Sequence, residues 1–253
     1  TGVQTCALPI SGEAEGDFTA TLPRLSFNYA YNDNTSLYFN YAEGRRSPVV
    51  SANAFGPSSV VAAETVDSYD IGLKYYGPRM SFTAALFAYT YQDFQQSYTD
   101  VATLESQTVT VGDSNMYGFE STLDYALDDT LNIGANIGLL NAKFDDNTET
   151  GTRFDYGGNT FRLAPEVSGS IYLSKALQVN GFNIELEMVN SYQSKTYFES
   201  SNRPDLAQDA YWLTDVSVKF GSDNSAWRAE LFADNLFDEE YIIDAGNTGG
   251  GFG

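Results

Sequence analysis

The chain has 253 residues, a net charge of −21, no histidine and one cysteine. Such an acidic balance excludes a nucleic-acid-binding protein, which needs a basic face, and the lack of histidine removes Ser-His-Asp and Cys-His catalysis and His-based zinc sites. Mean hydropathy is −0.29 and no apolar run approaches the roughly 18 residues of a membrane helix, but a membrane β-barrel stays open because only alternate strand residues meet lipid.

Taken from the start, residues 1–11 (TGVQTCALPIS) fit nothing that follows. They lack the charged and apolar regions of a secretory signal, and the lead-in to Cys6 is wrong for lipoprotein acylation. The string has the look of translated sequencing adapter, so the expectation is a non-native segment, with the native chain beginning near Gly12. From residue 12 on, about ten stretches alternate between apolar and polar residues, the period of a strand with two unlike faces. Residues 22–31 are the first: Leu25, Phe27, Tyr29 and Tyr31 oppose Ser26, Asn28 and Ala30. A short polar turn at 32–35 leads to a second strand that ends at Arg45 and Arg46, where a long polar segment spans about 46–63. Next, Tyr69, Ile71, Leu73 and Tyr75 oppose Asp70, Gly72 and Lys74, followed by a short turn at 77–79.

The same rhythm continues. A long segment covers about 95–108, and Asp128-Asp129-Thr130 is short. Residues 131–139 are the cleanest strand, with apolar odd positions and Asn or Gly at even ones. A long acidic segment at 146–160 precedes Val167, Ile171 and Leu173, which oppose Ser168, Ser170 and Ser174. A short connection is expected over roughly 175–181, then Phe182 to Met188 with Glu185 and Glu187 on the polar face, a long segment at 199–209, a short one at 221–225, and a last long one from 237. Connections that alternate short and long put all the long ones at one end of the sheet. A membrane barrel sorts its connections this way, with short periplasmic turns and long outer loops. Ten residues at about 3.3 Å each, tilted near 40°, rise about 25 Å, the height of a lipid-facing band. The 18 Tyr and 17 Phe suit interfacial girdles. The fold class is therefore all-β, an antiparallel transmembrane barrel fragment of about ten long strands. A soluble β-sandwich used for binding or adhesion has shorter strands and no sorting of its loops, and is the weaker alternative.

Motifs for chemistry fail one by one. The glycine-rich 246–253 has no Lys-Ser/Thr ending and no following helix, so it is no phosphate loop. Asp145-Asp146-Asn147-Thr148-Glu149 opens like a calcium loop but lacks its Gly and closing Glu. No catalytic, metal or cofactor site is expected. The polar faces of the strands carry Glu120, Asp124, Asn132, Asn136, Glu185 and Glu187, read as the hydrated lining of the barrel, facing the lumen or something inside it. Arg45 and Arg46 are the candidates for contact with an anionic ligand.

Residues 227–241, WRAELFADNLFDEEY, resemble the signature that precedes the last strand of TonB-dependent outer-membrane receptors, carried by Asn235, Leu236, Phe237, Asp238 and Tyr241. SLYFNYAEGRRSP (36–48), AETVDSYDIGLKYYG (63–77), MYGFESTLDYAL (116–127) and RLAPEVSGSIYLS (162–174) resemble the same family in order and spacing. The resemblance implies a 22-stranded barrel filled by an N-terminal plug. It implies import of a scarce ligand, typically a ferric siderophore, powered through TonB, with outer-membrane lipid, the receptor's own plug and TonB as partners. Plug and last strand are expected to lie outside this sequence. Because the first strand ends at a short turn and the last leads into a long loop, the ten strands suit the twelfth to twenty-first of such a barrel, an open sheet with two unpaired edges. The alternative within the membrane is a passive porin, with the same wall and no plug.

Overall fold

The computed structural model describes residues 19–51, 59–99, 106–146, 155–222 and 227–246; the segment 1–11 lies outside them. In chain order the strands are β1 (Arg24–Asn32), β2 (Thr35–Arg46), β3 (Val49–Ser51), β4 (Ser59–Val61), β5 (Glu64–Tyr76), β6 (Met80–Gln92), β7 (Gln95–Thr99), β8 (Ser106–Thr110), β9 (Ser114–Ala126), β10 (Leu131–Phe144), β11 (Val167–Val179), β12 (Phe182–Gln193), β13 (Thr196–Tyr197), β14 (Ala207–Gln208), β15 (Tyr211–Ser222) and β16 (Arg228–Ala233). Ten of them form one antiparallel sheet in the order β1-β2-β5-β6-β9-β10-β11-β12-β15-β16, each paired with its neighbours along the chain. β1 and β16 are its edges, so the sheet is open, as the sequence led us to expect. The eight strands between them run 12 to 14 residues, long enough to cross a bilayer.

Register turns the alternation of each strand into rows that run across the sheet. On one face Phe27, Phe39, Ile71, Leu86, Phe119, Leu139 and Val167 lie side by side. Nearer the short turns, Tyr125, Ile133, Leu173, Met188, Val216 and Ala233 continue that face. The opposite face carries Ser36, Lys74, Thr83, Thr122, Asn136, Ser170 and Ser191. A one-residue slip in any pair would break both sets. The apolar face is bare: Phe27 is 60% and Ile171 61% exposed. In water such a surface would be an aggregation hazard; against lipid it needs no cover. Aromatic pairs stand at its two margins, Tyr41–Tyr69 and Tyr192–Trp212 toward the long connections, Phe182–Trp227 and Phe220–Trp227 toward the short ones. Those are the girdle positions of a membrane barrel.

The short turns follow from local chemistry. Asn34 donates its N–H to the Asn32 Oδ1 at 2.9 Å, an Asx turn. At β9–β10 the Asp128 carboxylate accepts from the Thr130 N–H (2.7 Å), the Thr130 hydroxyl (2.6 Å) and the Leu131 N–H (2.9 Å), while Lys175 stands 3.7 Å away. The Thr130 hydroxyl first, then its N–H, bring the Asp128 carboxyl down to about 2. The expected connection over 175–181 is shorter than the sequence led us to place it. β11 runs on to Val179, and only Asn180 and Gly181 turn, both left-handed at φ 51 and 83. That is the two-residue hairpin geometry Asn-Gly favours, and it leaves the strand unbroken. The long connections, by contrast, are not featureless: β3–β4, β7–β8 and β13–β14 are small hairpins within them.

Candidate functional site

The six polar residues expected to line the lumen share one face of the sheet, the face opposite the lipid rows. Asp124 is the best held of them. The Tyr172 hydroxyl donates to its Oδ1 at 2.6 Å and the Ser81 hydroxyl to its Oδ2 at 2.9 Å. Tyr172 reaches it across Gly134, which pairs with both residues; a Cβ at Gly134 would collide with the Tyr172 ring. Asn136 donates through Nδ2 to the Ser170 hydroxyl. Glu120 sits in register with Ala85 and Gly138, exposed between two small residues. Asn132 lies between Ala126 and Ser174.

Nearer the short turns the same face becomes a charge network. Lys219 donates to the Glu187 Oε2 at 2.6 Å and the Ser217 hydroxyl donates to it at 3.2 Å. Glu185 and Glu230 flank Lys219 in register. Glu185, Lys219 and Arg228, with Thr130, Gln178 and Asn183, line an open cavity of about 480 Å³. Such a surface is hydrophilic and holds both signs of charge.

Arg45 and Arg46 do not act together. As neighbours on one strand they point to opposite faces. Arg46 donates to the Gln95 carbonyl and Arg45 to the Thr19 carbonyl, both at 3.1 Å.

The signature residues build a turn. Asn235 is left-handed at φ 50, a conformation asparagine tolerates better than most residues. Its Oδ1 accepts from the Glu239 N–H and its Nδ2 donates to the Glu239 carbonyl, both at 2.9 Å. Its own N–H donates to the Asp215 carboxylate at 2.7 Å, and the Leu236 N–H to the Thr214 carbonyl at 2.7 Å. Asp238, left-handed at φ 54, donates its N–H to the Asn235 carbonyl. Tyr241 then stacks on Tyr211 at 4.7 Å. Phe237 is exposed and bonds to none of these.

Sequence reasoning missed a compact core at the long-connection end. Phe94, Phe144 and Phe161 meet with ring centroids 4.6 to 5.7 Å apart, and Tyr91 and Tyr156 join them. Val111, Ala142, Phe144 and Phe198 are among the few fully buried apolar residues described. Phe144, Ser114 and Tyr91 align in register on the polar face, so this core lies over the inner side of the wall. The available signal was Phe144 at the end of its strand, on the wrong face for lipid, with Phe94 and Phe161 in the connections beside it.

The family model described as TonB dependent receptor-like, beta-barrel matches residues 6–236. Among solved structures the chain is similar to the ferric yersiniabactin uptake receptor FyuA from Yersinia pestis, with 19% identity and a TM-score of 0.76 over 90% of this chain and 34% of that one. It is similar to BauA, the ferric preacinetobactin receptor from Acinetobacter baumannii, with 21% identity and a TM-score of 0.68 over 88% and 33%. It is similar to the copper transporter OprC, with 17% identity and a TM-score of 0.66 over 91% and 37%. The chain thus spans about a third of the length of these structures, and at such identities the likeness is one of fold. With the family model running from residue 6 into the signature turn, this chain belongs to the TonB-dependent receptor-like β-barrel family of the outer membrane.

Proposed function

We propose that this chain is part of the wall of an active outer-membrane importer for a scarce ligand such as a ferric siderophore, energised through TonB. The observation that carries this reading is the inner face. Its carboxylates, amides and hydroxyls pair with one another across strands, as Asp124–Tyr172 and Glu187–Lys219 do, and leave a polar surface for a plug to seat against. Glu120, Asp124, Asn132, Asn136, Glu185 and Glu187 hydrate that seat. Ligand capture belongs to the outer loops and the plug's upper face, and similar structures bear the names of a ferric yersiniabactin uptake receptor and a ferric preacinetobactin receptor. A copper transporter of like fold leaves the cargo to be found by assay.

Uptake of radioactive iron on the host's own siderophores, with and without an intact tonB gene, tests the reading. Import that vanishes in the receptor deletion and in the tonB deletion is expected. Passage of small solutes independent of TonB would replace it with a passive porin. In the intact receptor, replacing Glu185 and Glu187 together by Leu should impair plug seating or assembly; unchanged folding and uptake would remove that role.

A further inference from the structure

We propose that the described parts of four outer connections move as one body, and that the strap at 239–246 is the hinged element beside it. Four connections are cross-linked in sequence. Gln95, from the β6–β9 connection, donates through Nε2 to the Ser47 and Ala62 carbonyls of the β2–β5 connection, at 3.2 and 2.6 Å. Its N–H donates to the Glu64 carboxylate at 2.7 Å, and Arg46 donates back to its carbonyl. The β6–β9 connection is joined to β10–β11 by Phe94 against Phe144 and Phe161, and by the Asp145 N–H on the Asp113 carbonyl. The β10–β11 connection is joined to β12–β15 by Asn202, which accepts from the Thr160 N–H at 2.7 Å and donates to its carbonyl at 2.8 Å, and by Asn159 on the Ser200 carbonyl.

Each joint holds a buried residue: Gln95 is 3% exposed, Phe144 3%, and Ser200, whose carbonyl takes the Asn159 bond, 5%. Leu163 is held left-handed at φ 54, with its N–H on the Tyr197 carbonyl. An element tied at every joint through buried groups opens cooperatively or not at all.

The strap is attached differently. After the Asn235–Glu239 turn it touches the layer through the Tyr211–Tyr241 stack, one bond from the Ile242 N–H to the Gln208 side chain, and an exposed Arg162–Asp244 pair at 3.5 Å. Ile243 on it is 78% exposed. Its root is the bonded Asn235–Glu239 turn, anchored to β15 through Asp215 and Thr214, so that what swings is the segment after Glu239.

Amide hydrogen exchange on the intact receptor in detergent micelles, without ligand, separates the two. The Val111, Phe161, Leu163, Phe198 and Ile242 amides each donate one hydrogen bond, so their rates report opening and not the mere presence of a bond. Protection should be alike at the first four and at least about tenfold weaker at Ile242. Phe144→Ala should then speed exchange at Val111 and also at Phe198, in the connections on either side, whereas Arg162→Ala should speed Ile242 alone. If Phe144→Ala does not fold, Asn202→Gly, which keeps the left-handed backbone and removes the side-chain bonds, should spread the same acceleration to Phe161 and Val111. Acceleration confined to the mutated connection, or an Ile242 amide as protected as Phe198, would overturn the proposal.

Discussion

The wall and the layer of outer connections use the same residues in opposite ways. In the wall, Phe27 and Leu86 stand bare on a single sheet, each more than half exposed; in the outer layer Phe144 is buried among other rings. The wall holds its shape by backbone pairing and register, and relies on lipid to cover it. The layer is a small water-facing core and relies on burial, as a soluble protein does. The two regions should therefore respond differently to the same substitution.

Removing a ring is the sharpest way to break that contrast. Phe144→Ala should cost about 3–5 kcal/mol, the range for a buried aromatic, read in the intact receptor as a lower denaturant midpoint for loss of the outer layer. Phe27→Ala should cost less, about 2 kcal/mol, the transfer of the ring from water to lipid, because lipid tails close over the gap and leave no cavity. Equal losses at the two sites would mean that the distinction between them is wrong. The reverse substitution sharpens it: Leu86→Arg, in the middle of a lipid-facing row, should cost about 2–4 kcal/mol. Ala85→Arg, one residue away on the polar face, should cost far less. Refolding into vesicles under urea measures both.

The difference also explains what could be read from the sequence. Strand positions such as Leu131 to Leu139 advertise their faces because period two is a local property, visible in nine residues. Turns such as Asn180-Gly181 carry their own geometry, but Lys175 and Gln178 are polar enough to read as loop and yet lie in β11; for Gln178 the reason is that the lumen face of a strand is polar too. That adjacent Arg45 and Arg46 must diverge was already implied by the same period. The outer core could not be read this way. Phe94 and Phe144 are separated by a hairpin and two wall strands, and no periodicity links them; only the register of β6, β9 and β10 brings them together. The charge network of Glu187 with Lys219 depends likewise on the pairing of β12 with β15.

Between wall and layer stands the signature turn, where a smaller effect is expected. Asn235→Ala removes both side-chain bonds to Glu239 and puts a less tolerant residue at a positive φ. The loss should be about 1–2 kcal/mol, seen as faster proteolysis after Ala233 with wall strands intact. Asn235→Gly should recover part of it, since glycine accepts the backbone conformation. No recovery would assign the whole effect to the hydrogen bonds.

The smallest expected effect lies at the other end of the wall, in the turn built on Asp128, and it concerns pH. The folded Asp128 carboxyl sits near 2, below the roughly 3.9 of an unfolded chain. Between those values the unfolded state binds more protons than the folded one, so stability rises with pH across that window. The contribution is complete above pH about 4 and is lost as pH falls toward 2. At neutral pH nothing changes, and because the group is open to solvent the gain is modest. Asp128→Asn keeps an oxygen that can accept from Thr130 and Leu131 but has no proton to bind. Unfolding midpoints measured from pH 5 to 2 should therefore fall less steeply for Asp128→Asn than for the unaltered receptor. Identical slopes would show that acid acts elsewhere and that this turn contributes nothing to the acid sensitivity of the fold.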